Sequence, residues 1–298
     1  MEDVRRDFLK NGFARIPPSI FSLSAKQVES LRNEFERLFA GEYETGIYPD
    51  EIHWRKGISR ESAVREICNG WKANHEVAAI VGSECLGKLA CDVMSWQSSR
   101  IGQDDCLHKP TNSNAVGFHQ DGAYISDNFL PRENNCLTMW IALDDADEEN
   151  GALQYCPGSH RWAGSDTSKD VSDASFHVGD SDDHFQSLRK AALNAGLDPE
   201  EALAAVQTIP VAAGQLLVHH QDVWHGSASN ISQNRVRRAL VAHLVNGEVT
   251  WRTDARPHYI YGRYYIRGES VPRDDFFPVT FIRDGSNKKR TGWLLDRK

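Results

Sequence analysis

The sequence predicts a mainly β protein, a jelly-roll or barrel core with a flank of helices. Three observations lead there. The first ninety or so residues carry apolar positions at helical spacing. From about Val93 the apolar pattern shortens to runs of five to nine residues, which suits strands. Turn clusters, DDADEENG, CPGSH and GSASN, separate those runs.

Ser24 and Gln27 form a capping-box pattern ahead of KQVESLRNEFERLF. Val28, Leu31, Phe35, Leu38 and Phe39 then share one helical face. Ser59 can cap a second helix, RESAVREIC, and HEVAAIVGSECLGKLACDVM reads as a third, largely buried one. The expected strands are VMSWQSSRI, CLTMWIAL, ALQYC, QLLVHH and RALVAHLV. Residues 163–206 interrupt them with the polar, loop-like SDTSKDVSDASFHVGDSDD and a short helix, DPEEALAAV. Such an insertion suits a substrate lid or a plain surface loop. We read residues 1–298 as one domain, with 1–92 as helical flank and 93–298 as core.

The 298 residues suffice for a sizeable core, and 40% hydrophobic with 26% charged residues is an ordinary globular balance. A net charge of −8 without a basic block argues against nucleic-acid or anionic-membrane partners. Cys68, Cys85, Cys91, Cys106, Cys136 and Cys156 include no CxxC pair, which fits reduced thiols in a cytoplasmic protein. The N-terminal MEDVRRDFLKNGF lacks the apolar stretch of a secretory leader. No apolar run reaches the roughly eighteen residues of a membrane span.

The tripeptide His-Gln-Asp occurs twice, as His119-Gln120-Asp121 and His220-Gln221-Asp222. On a strand, residues i and i+2 share a face, so His119 and Asp121 can converge. Two imidazoles and one carboxylate are the ligand mix of non-haem iron oxygenases. His119 and Asp121 then need a third ligand from elsewhere, and an HxD alone is weak evidence. His220, Asp222 and His225 could be imagined as a second triad, but three ligands from six residues leave little rigid support. His225 suits the role of third ligand to the first pair, since it ends an apolar strand before a Gly-Ser turn. His219 and His220 then become supporting or core histidines.

NRVRRALVAHLV places Arg235, Arg237 and Arg238 at the start of a buried-looking strand. Arg235 and Arg237 share one face and Arg238 takes the other. A buried guanidinium needs a carboxylate, ideally bidentate, and without a protein partner that becomes a ligand's. A solvated basic edge explains the same residues.

Taken together, FHQDGAY, TMWIALDDADEENGALQYCPGSHRW and VAAGQLLVHHQDVWHGSASNISQNRVRRALVAHLV resemble the phytanoyl-CoA dioxygenase family of iron(II)- and 2-oxoglutarate-dependent oxygenases. HKP and FFPV, upstream and downstream, fit as well. The resemblance implies a double-stranded β-helix with helices packed outside. It implies His119, Asp121 and His225 as iron ligands and Arg237 as partner of the far carboxylate of 2-oxoglutarate. Arg237 lies twelve residues after His225 where eleven is usual, which leaves Arg235 as a rival. Ser227 matches a cosubstrate contact and Trp140 a cosubstrate-pocket aromatic, with Lys109 and Gln97 as lining residues. His220 fills a family slot about five residues before the third ligand. The PGSH turn reads as structural.

The resemblance further implies iron(II), 2-oxoglutarate and dioxygen as cofactor and cosubstrates, with ascorbate as a support. It implies hydroxylation of an unactivated C–H bond in a small-molecule metabolite, with release of succinate and carbon dioxide. Desaturation, cyclisation or epimerisation would use the same ligands. A non-oxidative jelly-roll metalloenzyme, an isomerase or hydrolase, could use the triad without needing Arg237 or Ser227. A non-catalytic small-molecule-binding jelly roll is a further class. A monomer or small homo-oligomer is expected. WRTDARPHYIYGRYYIRGES, rich in Arg and Tyr, could line a polar or anionic substrate pocket or pack as surface chain.

Overall fold

The structure, a computed structural model, describes residues 1–163 and 183–284. Its helices are α1 (Glu2–Asn11), α2 (Ala25–Phe39), α3 (His75–Val81), α4 (Glu84–Met94), α5 (Gln186–Asn194) and α6 (Pro199–Ala204). The first strands are β1 (Phe13–Ile16), β2 (Glu51–Ile52), β3 (Arg65–Cys68), β4 (Ser98–Lys109) and β5 (Val116–His119). Next come β6 (Phe129–Leu130), β7 (Cys136–Ala142), β8 (Leu153–Tyr155), β9 (Gln207–Thr208) and β10 (Leu216–His220). The last are β11 (His225–Ser227), β12 (Arg237–Asn246), β13 (Thr250–Trp251) and β14 (Val279–Ile282). Among the described residues, no helix is long and apolar enough to cross a membrane.

The major sheet runs β1-β10-β7-β12-β4-β3-β2, with β14 also paired to β4. A minor sheet runs β5-β11-β8-β9, and β13 pairs with β6. Every pairing is antiparallel. This is the jelly-roll architecture: two antiparallel sheets over one interior, with helices outside.

Strand alternation divides the major sheet's two faces. Leu137, Met139 and Ile141 of β7, with Leu240, Ala242 and Leu244 of β12, pack against the helices. Their alternates Trp140, Ala142, Ala239 and Val241 turn inward, where Leu153 and Tyr155 of the minor sheet meet them. The same alternation on β10 separates its two histidines. His219 faces in, while His220 lies on the side of Phe8 and His160.

The helical layer forms where the apolar stripes require it. Both halves of the capping box of Ser24 and Gln27 are present at α2, and Val28, Leu31, Phe35, Leu38 and Phe39 are buried. Asn74 caps α3 by accepting from the amides of Glu76 and Val77. The single helix expected over 75–94 is two helices. Gly82 ends the first, and the Ser83 hydroxyl caps the second by accepting from the Leu86 amide.

RESAVREIC is not a helix. The Ser59 hydroxyl accepts from the Arg55 amide in a turn, and Arg65–Cys68 forms β3 against β4, from Arg65↔His108 to Cys68↔Asp105. A short helix is costly to nucleate, and the open edge of β4 supplies ladder hydrogen bonds instead. β1 and β2 also lie within the first ninety residues, so the flank supplies three strands to the major sheet. Of the 163–206 insertion, residues 164–182 lie outside the described residues. The helix expected in DPEEALAAV is α6, and α5 is an unforeseen addition. All six cysteines are free thiols, and all but Cys85 are buried.

Leu240 is fully buried at the centre of β12. Leu240→Ala should lower the unfolding free energy by about 2–5 kcal/mol. The check is a lower denaturant midpoint with an unchanged slope.

Candidate metal centre and anion pocket

The minor sheet brings the two halves of the sequence together. β5 ends at His119 and β11 begins at His225, and the two residues are direct antiparallel partners. Their rings stand 4.3 Å apart. Just past β5 the chain enters a short turn at Asp121. Asp121 Oδ1 lies 3.6 Å from His119 Nε2 and 3.5 Å from His225 Nε2. These three side chains form one of the two candidate metal-ligand clusters among the described residues.

Each histidine is fixed from behind. His119 Nδ1 lies 2.8 Å from the Gly117 carbonyl, and His225 Nδ1 lies 3.0 Å from that of Val223. Each Nδ1 must donate there, which leaves each Nε2 with a lone pair directed at Asp121 Oδ1. Burial pushes both imidazoles down to about 4, so both are neutral at pH 7. Burial alone would raise the Asp121 carboxyl, but His225, His219 and His243 hold it well below the usual carboxylate range. Two neutral imidazoles and a carboxylate suit a divalent first-row metal, iron(II) included.

The second oxygen of Asp121 is held by protein. Thr138 Oγ1 donates to Oδ2, and His219 Nε2 sits 2.9 Å from it. The Tyr155 hydroxyl meets His219 Nδ1 at 2.9 Å. Thr138 has spent its only proton on Asp121, so it accepts from His243 Nδ1, at 2.9 Å. His243 Nε2 faces Asp105 Oδ2, also at 2.9 Å. With both nitrogens donating, His243 is an imidazolium. Burial opposes that charge, but the Asp105 contact raises its pKa well above the ordinary range.

At the far end of the cavity Arg237 pairs in register with Lys109. Both line the cavity and both are buried. Arg237 Nε and Nη1 have no hydrogen-bond partner, and neither does Trp140 Nε1. The Arg237 guanidinium lies 5.4 Å from the centre of the Trp140 ring. Lys109 Nζ donates to Ser227 Oγ at 2.9 Å. Burial brings Arg237 down to about 10, and burial with repulsion from Arg237 pushes Lys109 well down. A buried guanidinium with two orphaned donors, next to the Lys109 amine, suits an anionic ligand. Gly226 lets this wall close, since a Cβ there would lie 2.8 Å from the Val116 carbonyl oxygen.

The structure thus gathers His119, Asp121, His225, Arg237, Ser227, Trp140 and Lys109 around one cavity. Gln97 is not among them. It is exposed between α4 and β4, and its carbonyl accepts from the Arg283 amide. Arg235 is removed as a rival because it forks onto Asp147 at 2.6 and 3.0 Å and pairs with Glu149, outside the cavity. Arg238 pairs with Asp144 on the other face. In the second tripeptide, His220 Nε2 meets Asn134 Oδ1 and Asp222 pairs with Arg132, away from the metal ligands.

Sequence reasoning missed Gln103, Asp105, Thr138 and His243, which also line the cavity. Counting back by twos from Lys109 along β4 would have found Asp105 and Gln103. The arginines of the C-terminal segment do not line the cavity: Arg252 pairs with Asp254 and Arg263 with Glu51. Tyr259 is the residue of that segment that does.

Comparison with known proteins decides the family. The sequence matches phytanoyl-CoA dioxygenase (PhyH) over residues 8–239. The chain belongs to the phytanoyl-CoA dioxygenase family. It is by that membership an oxidoreductase of the iron(II)- and 2-oxoglutarate-dependent dioxygenase class. A probable alpha-ketoglutarate-dependent hypophosphite dioxygenase of Stutzerimonas stutzeri is 26% identical over 81% of this chain and 77% of its own. A phytanoyl-CoA dioxygenase domain-containing protein 1 homolog of Caenorhabditis briggsae is 31% identical over 54% of this chain, which spans about half (52%) of that relative. Among solved structures, the epimerase SnoN from nogalamycin biosynthesis, in complex with Fe3+, alpha ketoglutarate and nogalamycin RO, superposes with a TM-score of 0.65. That match covers 94% of this chain and 98% of SnoN at 19% identity, and so speaks for the fold.

Removing the donor that fixes Asp121 should loosen the metal. Thr138→Val should weaken iron(II) or cobalt(II) binding about 10–100-fold. The check is competition against a chelator of known affinity, and unchanged affinity would contradict the role given to Thr138.

Proposed function

We propose that this chain hydroxylates an unactivated C–H bond of a small-molecule substrate at a metal held by His119, Asp121 and His225. The observation that carries the reading is the pairing of this ligand set with a buried, orphaned Arg237 in one cavity. A jelly roll using only the triad for isomerisation or hydrolysis has no need for that guanidinium.

Arg237 receives the far carboxylate of 2-oxoglutarate on its unpartnered Nε and Nη1, and the Lys109–Ser227 pair adds donors beside it. Leu153, Val241 and the Trp140 ring line the space between anion pocket and triad and exclude water from the cosubstrate's middle carbons. The imidazoles of His119 and His225 stay neutral, and Asp121 supplies the charge on the protein side. Thr138 and His219 keep Asp121 Oδ1 turned toward the two Nε2 atoms. When bound, iron(II) supplies dioxygen activation coupled to oxidative decarboxylation of 2-oxoglutarate, giving succinate, carbon dioxide and hydroxylated product.

Anaerobic protein with iron(II) should develop a visible charge-transfer band when 2-oxoglutarate is added. Folded protein without a band would sink the reading. Arg237→Gln should require at least about thirtyfold more 2-oxoglutarate to reach half of that signal.

A further inference from the structure

The cavity is bipolar, and β4 carries the polarity. Its inward residues run Gln103, Asp105, Leu107, Lys109. At about 3.3 Å per residue, Asp105 and Lys109 stand about 13 Å apart. β12 repeats the order, with Arg237 beside Lys109 and His243 beside Gln103. β3 adds Glu66, across from Leu107. Among the described lining residues, the lysine and arginine side chains are Lys109 and Arg237, both at the anion end.

The opposite end has a different chemistry. Glu66 and Asp105 give it two carboxyls against the single imidazolium of His243. Gln103 Nε2 donates to Asp105 Oδ1 at 2.9 Å, and the Tyr261 hydroxyl donates to Gln103 Oε1, so this wall is braced. Burial and then repulsion from Asp105 push the Glu66 carboxyl up to about 8, so a nearby cation would favour its ionised form. Tyr124 and Tyr259 complete the wall with ring centres 6.4 Å apart. Tyr259 holds its place at a φ of 54°, a conformation unusual for a bulky side chain and often found where a residue is fixed for function. Carboxyls beside aromatic faces favour an organic cation. That the cavity receives a ligand is indicated independently by the orphaned donors of Arg237 and Trp140 in the same space.

We infer that the end walled by Glu66, Asp105, Tyr124 and Tyr259 selects a small substrate bearing a protonated amine or quaternary ammonium group, and rejects carboxylates and phosphate esters. The inference rests on reading this cavity as the oxygenase active site, with cosubstrate at the Arg237 end. The cationic group then anchors at the acidic wall, and the carbon to be oxidised reaches the triad between the two ends.

The test is an anaerobic calorimetric titration of protein loaded with iron(II) and 2-oxoglutarate. The probes are hexylamine, hexyltrimethylammonium, hexanol and hexanoate. At least one cation should bind about tenfold or more tightly than hexanol, and hexanoate should bind more weakly than hexanol. Glu66→Gln should bring the preferred cation to within about threefold of hexanol while the charge-transfer band persists. Asp105→Asn reads the same preference if Glu66→Gln fails to fold. Hexanol or hexanoate binding as well as both cations, no cation binding, or full preference surviving in the variant would overturn the inference. A missing band in the wild type would instead defeat the oxygenase reading, and the probe preference is then scored on metal-free protein.

Discussion

A carboxylate oxygen held within 3.6 Å of two imidazole nitrogens is the constraint on which the site depends. Such a cluster stays in place only if every other polar atom around it is committed. Two backbone carbonyls take the far nitrogens of His119 and His225, and Thr138 and His219 take the far oxygen of Asp121. Behind them, His243 and Asp105 carry the network to the opposite wall of the cavity. The jelly roll makes this possible because β5 and β11 are distant in sequence yet adjacent in the minor sheet, while β7, β10 and β12 present their inward residues from the major sheet.

Period-two alternation then does the sorting. It sends Leu137, Met139 and Ile141 to the helices and Thr138 and Trp140 to the cavity. It makes His219 a support of Asp121 and His220 a packing residue on the other face. Along β4 it strings Gln103, Asp105, Leu107 and Lys109 on one line, so one strand links an acidic end to a basic end. Lys109 and Arg237 thus stand at one end of the cavity that also holds the triad, and Glu66 and Asp105 stand at the other.

Much of this was legible in the sequence, for physical reasons that differ by element. The strands β7, β10 and β12 are buried on both faces or nearly so, and their boundaries follow from turn chemistry at each end. The cluster of His119, Asp121 and His225 was legible because HxD fixes two donors on one side and the family resemblance picks out His225. Arg237 was separated from Arg235 by the resemblance, and the structure gives the cause: Asp147 and Glu149 occupy Arg235. β3 was illegible because its strand state comes from pairing with β4, a tertiary effect absent from RESAVREIC itself. Gln97 was misplaced because it precedes β4, exposed in the turn after α4, whereas Gln103 lies within β4 and lines the cavity. His243 and Thr138 carry no motif, and their roles follow only from register.

Two identical tripeptides have unequal roles, and metal stoichiometry separates them. Purified wild type, His119→Ala and His220→Ala proteins, each reconstituted anaerobically with iron(II) and desalted, should be compared for bound metal per chain. Wild type and His220→Ala should hold near-stoichiometric iron, and His119→Ala should lose most of it. Retention by His119→Ala with loss from His220→Ala would contradict those roles.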